Sequence, residues 1–415
     1  MTETYHHLSV DEVLRRVLPP SIEEVPTSFE AAGRLGHINL RPEALPYRRL
    51  IGRIILDKNP SLGIVVNKVG NIENEYRTFP MEVLARRGGQ GEDGTEGTAE
   101  AVDPITGLVK KMEVEVKEEG CRFLLDFAGV YWNSRLSTEH KRLVRLIAGN
   151  DPLRKKKRVS KRKMPAGDDG YGKTSDEGGD GGGLDDIVVA DVMAGVGPFS
   201  VPLTCRYRGI TCHANDLNPE SFRYLGVNAD MNACPPNRLL PYNLDGRAFI
   251  RKLDEGGVRY HHAIMNLPAS APEFLDAFRG RTFQRRGDRD SEKEKEEDDS
   301  GDYHRPRVHV HCFGGKDEES DNDAIKRCER ALGCSLDSEA DSVTVRIVRD
   351  VSPKKNMLCV SFSLPLGVRD VPPIDIDGEV AGAEAETRKE EGRGKGQGRR
   401  EESEPPQDAK RRKTE

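Results

Sequence analysis

The chain is short of the residues that build one continuous core. Of its 415 residues 35% are hydrophobic and 6% aromatic, and tryptophan occurs once. Charged residues make up 33% and 42 residues are glycines that cluster, so part of the chain is expected not to fold. No apolar run nears the roughly 20 residues that span a bilayer, which excludes a membrane-crossing helix. The eight cysteines include no Cys-x-x-Cys pair, so neither a zinc site nor any other metal site is expected. With no secretory segment, reduced thiols in an intracellular protein are expected. The opening "MTETYHHLSVDEVLRRV" is not Arg/Ser-rich and acid-poor, so it does not read as a transit peptide.

What is present is segregated by sign. The formal charge is −6. Yet "RKKKRVSKRK" (154–163) is strongly basic, whereas 290–302 and 316–323 are acidic-rich. A mildly acidic total therefore does not exclude a nucleic-acid partner. The basic run reads as a contact to nucleic-acid phosphates, a nuclear-import patch or a solvated linker, and "KRRK" (410–413) raises the same question.

The pattern along the chain predicts a small α+β domain over 1–130. It has a helix at 9–18 and strand character at "HINL" (37–40), "IGRIIL" (51–56) and "GIVVNKVG" (63–70). The alternation over 108–127 predicts two strands with a turn at Glu119-Gly120. A connecting helix is expected at 131–149, then a disordered basic and Gly-rich insertion at 150–183. From 184 to 366 strand, turn and helix repeat, with an acidic insertion at about 283–303. That order predicts an open, doubly wound α/β sheet of Rossmann-like type, followed by a disordered tail at 367–415.

In such a sheet, ligands bind beyond the carboxyl ends of the strands. The first strand end is Asp191, followed by Gly195-Val196-Gly197, where bare backbone can approach a ligand and a helix N-terminus follows; a plain tight turn has the same composition. The second is "NDLNP", with Asp216 about 20 residues on, where an acid accepts from ribose hydroxyls. Asn218 ahead of Pro219 suits the helix cap better. At the third, Asp245 of "LDGRAF" either receives an adenine amino group or caps the next helix. At the fourth, Asn266 of "NLP" suits an edge that holds a planar base, and is also an ordinary turn. Taken together the four favour S-adenosylmethionine over NAD. Ser200 stands where a dinucleotide turn needs its third small residue.

The stretches "NKVGNIENEYRTFPMEVLA", "VYWNSRLSTEH", "DVMAGVGPFSVP", "ANDLNPES", "NLDGRAF", "NLPASAPEFLDAF", "HVHCF" and "VSPKKNMLCVSFSLP" resemble the eukaryotic and archaeal tRNA guanine-37 N1-methyltransferases, over about 22–365. Met193 departs from that family's usual phenylalanine. The family's preceding domain, which helps grip the tRNA elbow, is expected to be absent. The resemblance implies a class I methyltransferase fold with S-adenosylmethionine as cofactor and tRNA bearing G37 as partner. It implies cofactor contacts at His140, Asp216, Leu217, Asp245, Gly246 and Asn266, with Gly195 and Gly197 in the glycine turn. Arg77, Tyr131 and Glu139 match positions for the target base and catalysis. Guanine N1 must lose a proton and O6 must be stabilised, which suits Glu139 as base and Arg77 at O6, with Asn266 orienting the base and Tyr131 packing beside it. An aminocarboxypropyl transferase acting at the same tRNA position, or a non-catalytic RNA-binding relative, are the rival functions. A monomer in cytoplasm and nucleus, with the mitochondrial matrix as a further compartment, is expected, without a membrane.

Overall fold

A computed structural model describes residues 5–70, 76–87, 100–102, 108–150, 187–283, 303–316 and 319–374. The basic run, nearly all of both insertions and the tail from 375 lie outside the described residues. Among the described residues no helix is long and apolar enough to cross a membrane.

The N-terminal part begins with α1 (Val10–Val17), started by a capping box between Ser9 and Glu12. Strands β1 (Glu30–Ala32) and β2 (Leu35–Ile38) precede α2 (Arg48–Lys58), β3 (Ile64–Lys68) and β4 (Met81–Arg86). The four strands lie in the order β1-β2-β3-β4, and β2 pairs with β3 in parallel. That parallel pairing explains why the apolar run at 51–56 is helical and not the expected strand. Parallel neighbours need a crossover, and α2 is that crossover. Ile51, Ile54 and Ile55 fall on one helical face and are buried, and a Cβ on Gly52 would come within 2.4 Å of Leu84.

A three-stranded sheet follows: β5 (Glu100–Val102), β6 (Val109–Glu118) and β7 (Cys121–Asp126), in that order. Glu119 and Gly120 both have positive φ, 49° and 74°, as a two-residue hairpin turn requires. The next helix is shorter than the sequence pattern predicts. A 3₁₀ turn (Ser134–Leu136) leads into α3 (Ser137–Arg145), and a wider turn at Leu146–Asn150 unwinds at Gly149, with φ 137°.

The C-terminal sheet contains β8 (Ile187–Asp191), α4 (Ser200–Arg206), β9 (Ile210–Asn215), α5 (Pro219–Met231), β10 (Leu239–Tyr242), α6 (Gly246–Glu255) and β11 (His262–Met265). It closes with β12 (Arg307–Gly314), α7 (Ser320–Leu332), β13 (Thr344–Ser352) and β14 (Lys355–Ser363). The strand order is β10-β9-β8-β11-β12-β14-β13. The first five are parallel, and β14 runs antiparallel to both its neighbours. This is the expected doubly wound α/β sheet. Among the described residues between β11 and β12, the chain forms a 3₁₀ segment (Ala271–Phe278) with proline in its first turn where an α-helix is expected. α7 occupies the end of an acidic-rich run, held by buried Ala324, Cys328 and Leu332.

The hairpin β6–β7 docks on α5 through asparagine side chains. Asn232 accepts from the Arg122 N–H at 2.9 Å and donates to its carbonyl at 2.7 Å. Asn228 accepts from the Leu124 N–H at 2.7 Å and donates to the Val196 carbonyl, inside the glycine turn, at 3.0 Å. Tyr224 donates to Glu113 at 2.6 Å.

Candidate active site

The strand order reverses between β8 and β11, and the carboxyl ends of β8, β9, β10 and β11 meet at that point. A cleft opens there, lined by residues from all four of these strand ends, the place where such a sheet binds its ligand. Its floor is pinned by buried Asn215, whose amide donates to the Val192 and Leu244 carbonyls and accepts from the Leu244 N–H, tying three strand ends together. Gly195 lines the cleft in the left-handed region, with φ 56°, and its N–H donates to Asp216 at 2.8 Å. The other Asp216 oxygen accepts from the Asn218 N–H at 3.0 Å. Burial raises the Asp216 pKa against these donors. The Ser221 hydroxyl is a third donor to the carboxylate, which leaves one acceptor position for an outside hydroxyl.

Asn218 caps α5 through the Glu220 N–H, as the Asn-Pro pair predicts. Asp245 lines the cleft and also caps α6, accepting from Arg247 and Ala248 through a single oxygen, Oδ1. Both alternatives for Asp245 are therefore compatible with its place. Leu217 and Gly246 complete this side, with Leu217 44% exposed at the rim. Asn266 lines the opposite side, and its Oδ1 is buried without a hydrogen-bond partner. A buried orphan acceptor in a cleft is a place for a donor from a ligand.

The N-terminal part contributes Arg77 and Tyr131. The Arg77 guanidinium lies over the Tyr131 ring, 4.1 Å from its centroid, and both residues line the cleft. Arg77 has φ 59°, an uncommon conformation for a residue with a side chain. The cleft thus gathers Arg77, Tyr131, Gly195, Asp216, Leu217, Asp245, Gly246 and Asn266 from 190 residues of chain. Sequence reasoning missed Tyr76, Asn215, Ser221 and Phe274 among the lining residues. Their signal was only adjacency to recognised motifs.

Four expected residues do not line the cleft. Asp191 is fully buried beneath it, accepts from Ser200, and is pushed up to about 7 by burial. Gly197, with φ 97°, is a packing glycine: a Cβ there would meet Val201 at 2.7 Å and Leu225 at 2.8 Å. His140 faces the hairpin, where Nδ1 meets Glu118 at 2.5 Å and the ring packs edge-on against Phe199. Glu139 is buried against β12. Arg142 donates to both its oxygens at 2.6 Å, and His311 Nε2 sits 2.9 Å away. Burial alone would raise the Glu139 pKa, but these two partners hold it down to about 2. Burial alone would lower that of His311, but Cys359 and Glu139 raise it to about 10.

Glu139, His311 and Cys359 bring ligand atoms within 4.8 Å of one another. The Arg142 guanidinium reaches both Glu139 and, at 3.7 Å, the Cys359 sulfur. A cation already holds that spot, so the donor set does not suit a metal ion.

Residues 10–94 match the model described as the TYW2 N-terminal domain, and 183–287 match the TRM5/TYW2 methyltransferase domain. The tRNA (guanine(37)-N(1))-methyltransferase 1 of Phaeodactylum tricornutum is 43% identical over 372 residues, covering 88% of this chain and 69% of the relative. The tRNA (guanine(37)-N(1))-methyltransferase of Phytophthora infestans is 38% identical over 361 residues, covering 87% and 68%. The solved complex of aTrm5 and tRNALeu is similar in fold, with a TM-score of 0.55 at 21% identity, covering 86% of this chain and 78% of that one. Identity at this level over most of both chains, and a cleft at the sheet's switch point, place this chain in the tRNA (guanine(37)-N(1))-methyltransferase family.

Proposed function

We propose that the protein methylates N1 of guanosine 37 in tRNA, using S-adenosylmethionine. The observation that carries this is the single cleft in which cofactor-type groups of four strand ends meet Arg77 and Tyr131. Asp216 and Asp245 offer carboxylate acceptors to ribose hydroxyls and an adenine amino group, and Val192, Leu217 and Phe274 offer apolar walls. The sulfonium cofactor supplies an electrophilic methyl group together with its own leaving group.

The chain's own residues then prepare the base. Guanine 37 leaves the anticodon-loop stack to reach the rim. Arg77, pre-oriented on Tyr131, donates to O6 as negative charge develops there. The unpartnered Asn266 Oδ1 accepts a donor from the ligand and fixes its plane. Glu139, which lies outside the cleft on Arg142 and His311, is the base in this reading only if substrate binding brings it to N1. A carboxylate held near 2 is a weak base, so this role requires Glu139 to exchange Arg142 for the substrate, which restores its basicity.

The test is methyl transfer from labelled cofactor to unmodified tRNA transcripts carrying G or A at position 37. Label on the G37 transcript alone, mapped to N1 with the mass gain of one methyl group, is expected. Label on both transcripts, or a larger mass gain, would overturn the proposal.

A further inference from the structure

We propose that Cys121 and Cys205 form a built-in dithiol site, which a hydroperoxide oxidises reversibly to a disulfide bridging the β6–β7 hairpin and helix α4. This inference rests on the thiol geometry and is independent of the reaction at the cleft. The two sulfurs lie 3.4 Å apart although the residues are 84 apart in the chain. Bond formation needs closure only to about 2.0 Å, within reach of side-chain rotation. Cys121 is buried, one residue after the exposed Gly120, and Cys205 is half-buried in the last turn of α4, so the pair sits one side chain below the surface.

The surroundings hold the pair together. Arg206, next to Cys205, donates to the Glu119 carbonyl, and its guanidinium also lies 3.9 Å from the Glu119 carboxylate. Lys141 pairs with the same carboxylate at 3.1 Å. The hydrogen bond from Cys205, aided by Arg206, lowers the pKa of Cys121, which favours its thiolate as the attacking group. A third thiol, Cys234, also lies beside Cys205, but it donates to the Val201 carbonyl and accepts from Thr204 inside the core.

The step balances with a hydroperoxide as the two-electron oxidant. The Cys121 thiolate attacks a peroxide oxygen, the O–O bond breaks, and a sulfenic acid forms. The Cys205 sulfur, whose thiol is held protonated up to about 11 by its bond to Cys121 and gives up that proton in this step, then attacks the Cys121 sulfur and expels the oxygen. With hydrogen peroxide, both oxygens leave as water with the two thiol protons, and both sulfurs are oxidised. The product ties the hairpin to the helix that leaves the cofactor-type glycine turn.

The experiment treats the full chain with hydrogen peroxide, blocks remaining thiols by alkylation, and digests it without reductant. A peptide linking Cys121 to Cys205, lighter than the two reduced peptides by two hydrogens and released by dithiothreitol, is expected. So is a rise in the unfolding midpoint that dithiothreitol reverses. Cys205→Ser and, separately, Cys121→Ser should lose both signals, while Cys312→Ser keeps them. A Cys205–Cys234 link, or sulfinic acid at either position without the link, would overturn the proposal. So would two freely alkylated thiols in the wild-type chain after treatment.

Discussion

Replacing Glu139 by glutamine tests both the buried ion cluster and the proposed base. The carboxylate is 5% exposed and drops from an ordinary 4.5 to about 2 under Arg142 and His311. That drop corresponds to about 3 kcal/mol of folding stability. It agrees with the roughly 3–5 kcal/mol lost when one member of a buried pair is removed. A folded-state pKa below the unfolded one stabilises fully above pH 4.5 and is lost as pH falls towards 2. His311 behaves oppositely: raised from 6.5 to about 10, it contributes fully below pH 6.5 and is lost as pH rises through 10. Both shifts describe the same attraction, so they are not added. Glu139→Gln should therefore be less stable than wild type by about 3 kcal/mol at pH 6. The gap should narrow towards pH 3 and again towards pH 10. Urea unfolding across that range measures it. A gap under about 1 kcal/mol at pH 6, or one that ignores pH, would refute the cluster energetics. At a temperature where both proteins are folded, methyl transfer should fall about 100-fold or more. Wild-type turnover with normal cofactor binding would instead refute the base assignment.

Asp216→Ala removes the acceptor of the Gly195 and Asn218 N–H groups, and cofactor affinity measured by calorimetry should fall about tenfold or more; unchanged affinity would remove Asp216 from the site. Gly197→Ala should cost about 2 kcal/mol or more in chemical denaturation, because its Cβ has no space and φ is positive. Gly195→Ala, in open space, should cost about 1 kcal/mol and act mainly on cofactor binding. Equal stability losses would contradict the division between lining and packing glycines. Arg77→Lys keeps the charge but loses the planar stack on Tyr131, so kcat should fall about 10-fold or more while cofactor affinity holds.

The sheet was legible because each unit carries its own punctuation: an apolar run, then Gly195, Asn218-Pro219 or Asp245, then a helix. These signals are local, and so are the N-cap hydrogen bonds that realise them. What stayed illegible depends on distant partners. The run at 51–56 is apolar enough for a strand, and only the parallel pairing of β2 with β3 makes it a crossover helix. Glu139 stands in a family motif, yet its environment is fixed by His311, 172 residues later. Asp191 and Gly197 belong to the cofactor-type turn in sequence, but lie one layer below its surface.

The asparagines of α5 have a consequence for solubility. β7 is the outer strand of its sheet, and outer strands offer unpaired amide groups to any passing chain. Here Asn232 and Asn228 occupy the Arg122 and Leu124 positions with side-chain amides, as a neighbouring strand would. A helix thus seals the sheet margin without adding a strand to it. Removing both amides would leave a sticky border on β7, and the first sign of damage would be self-association.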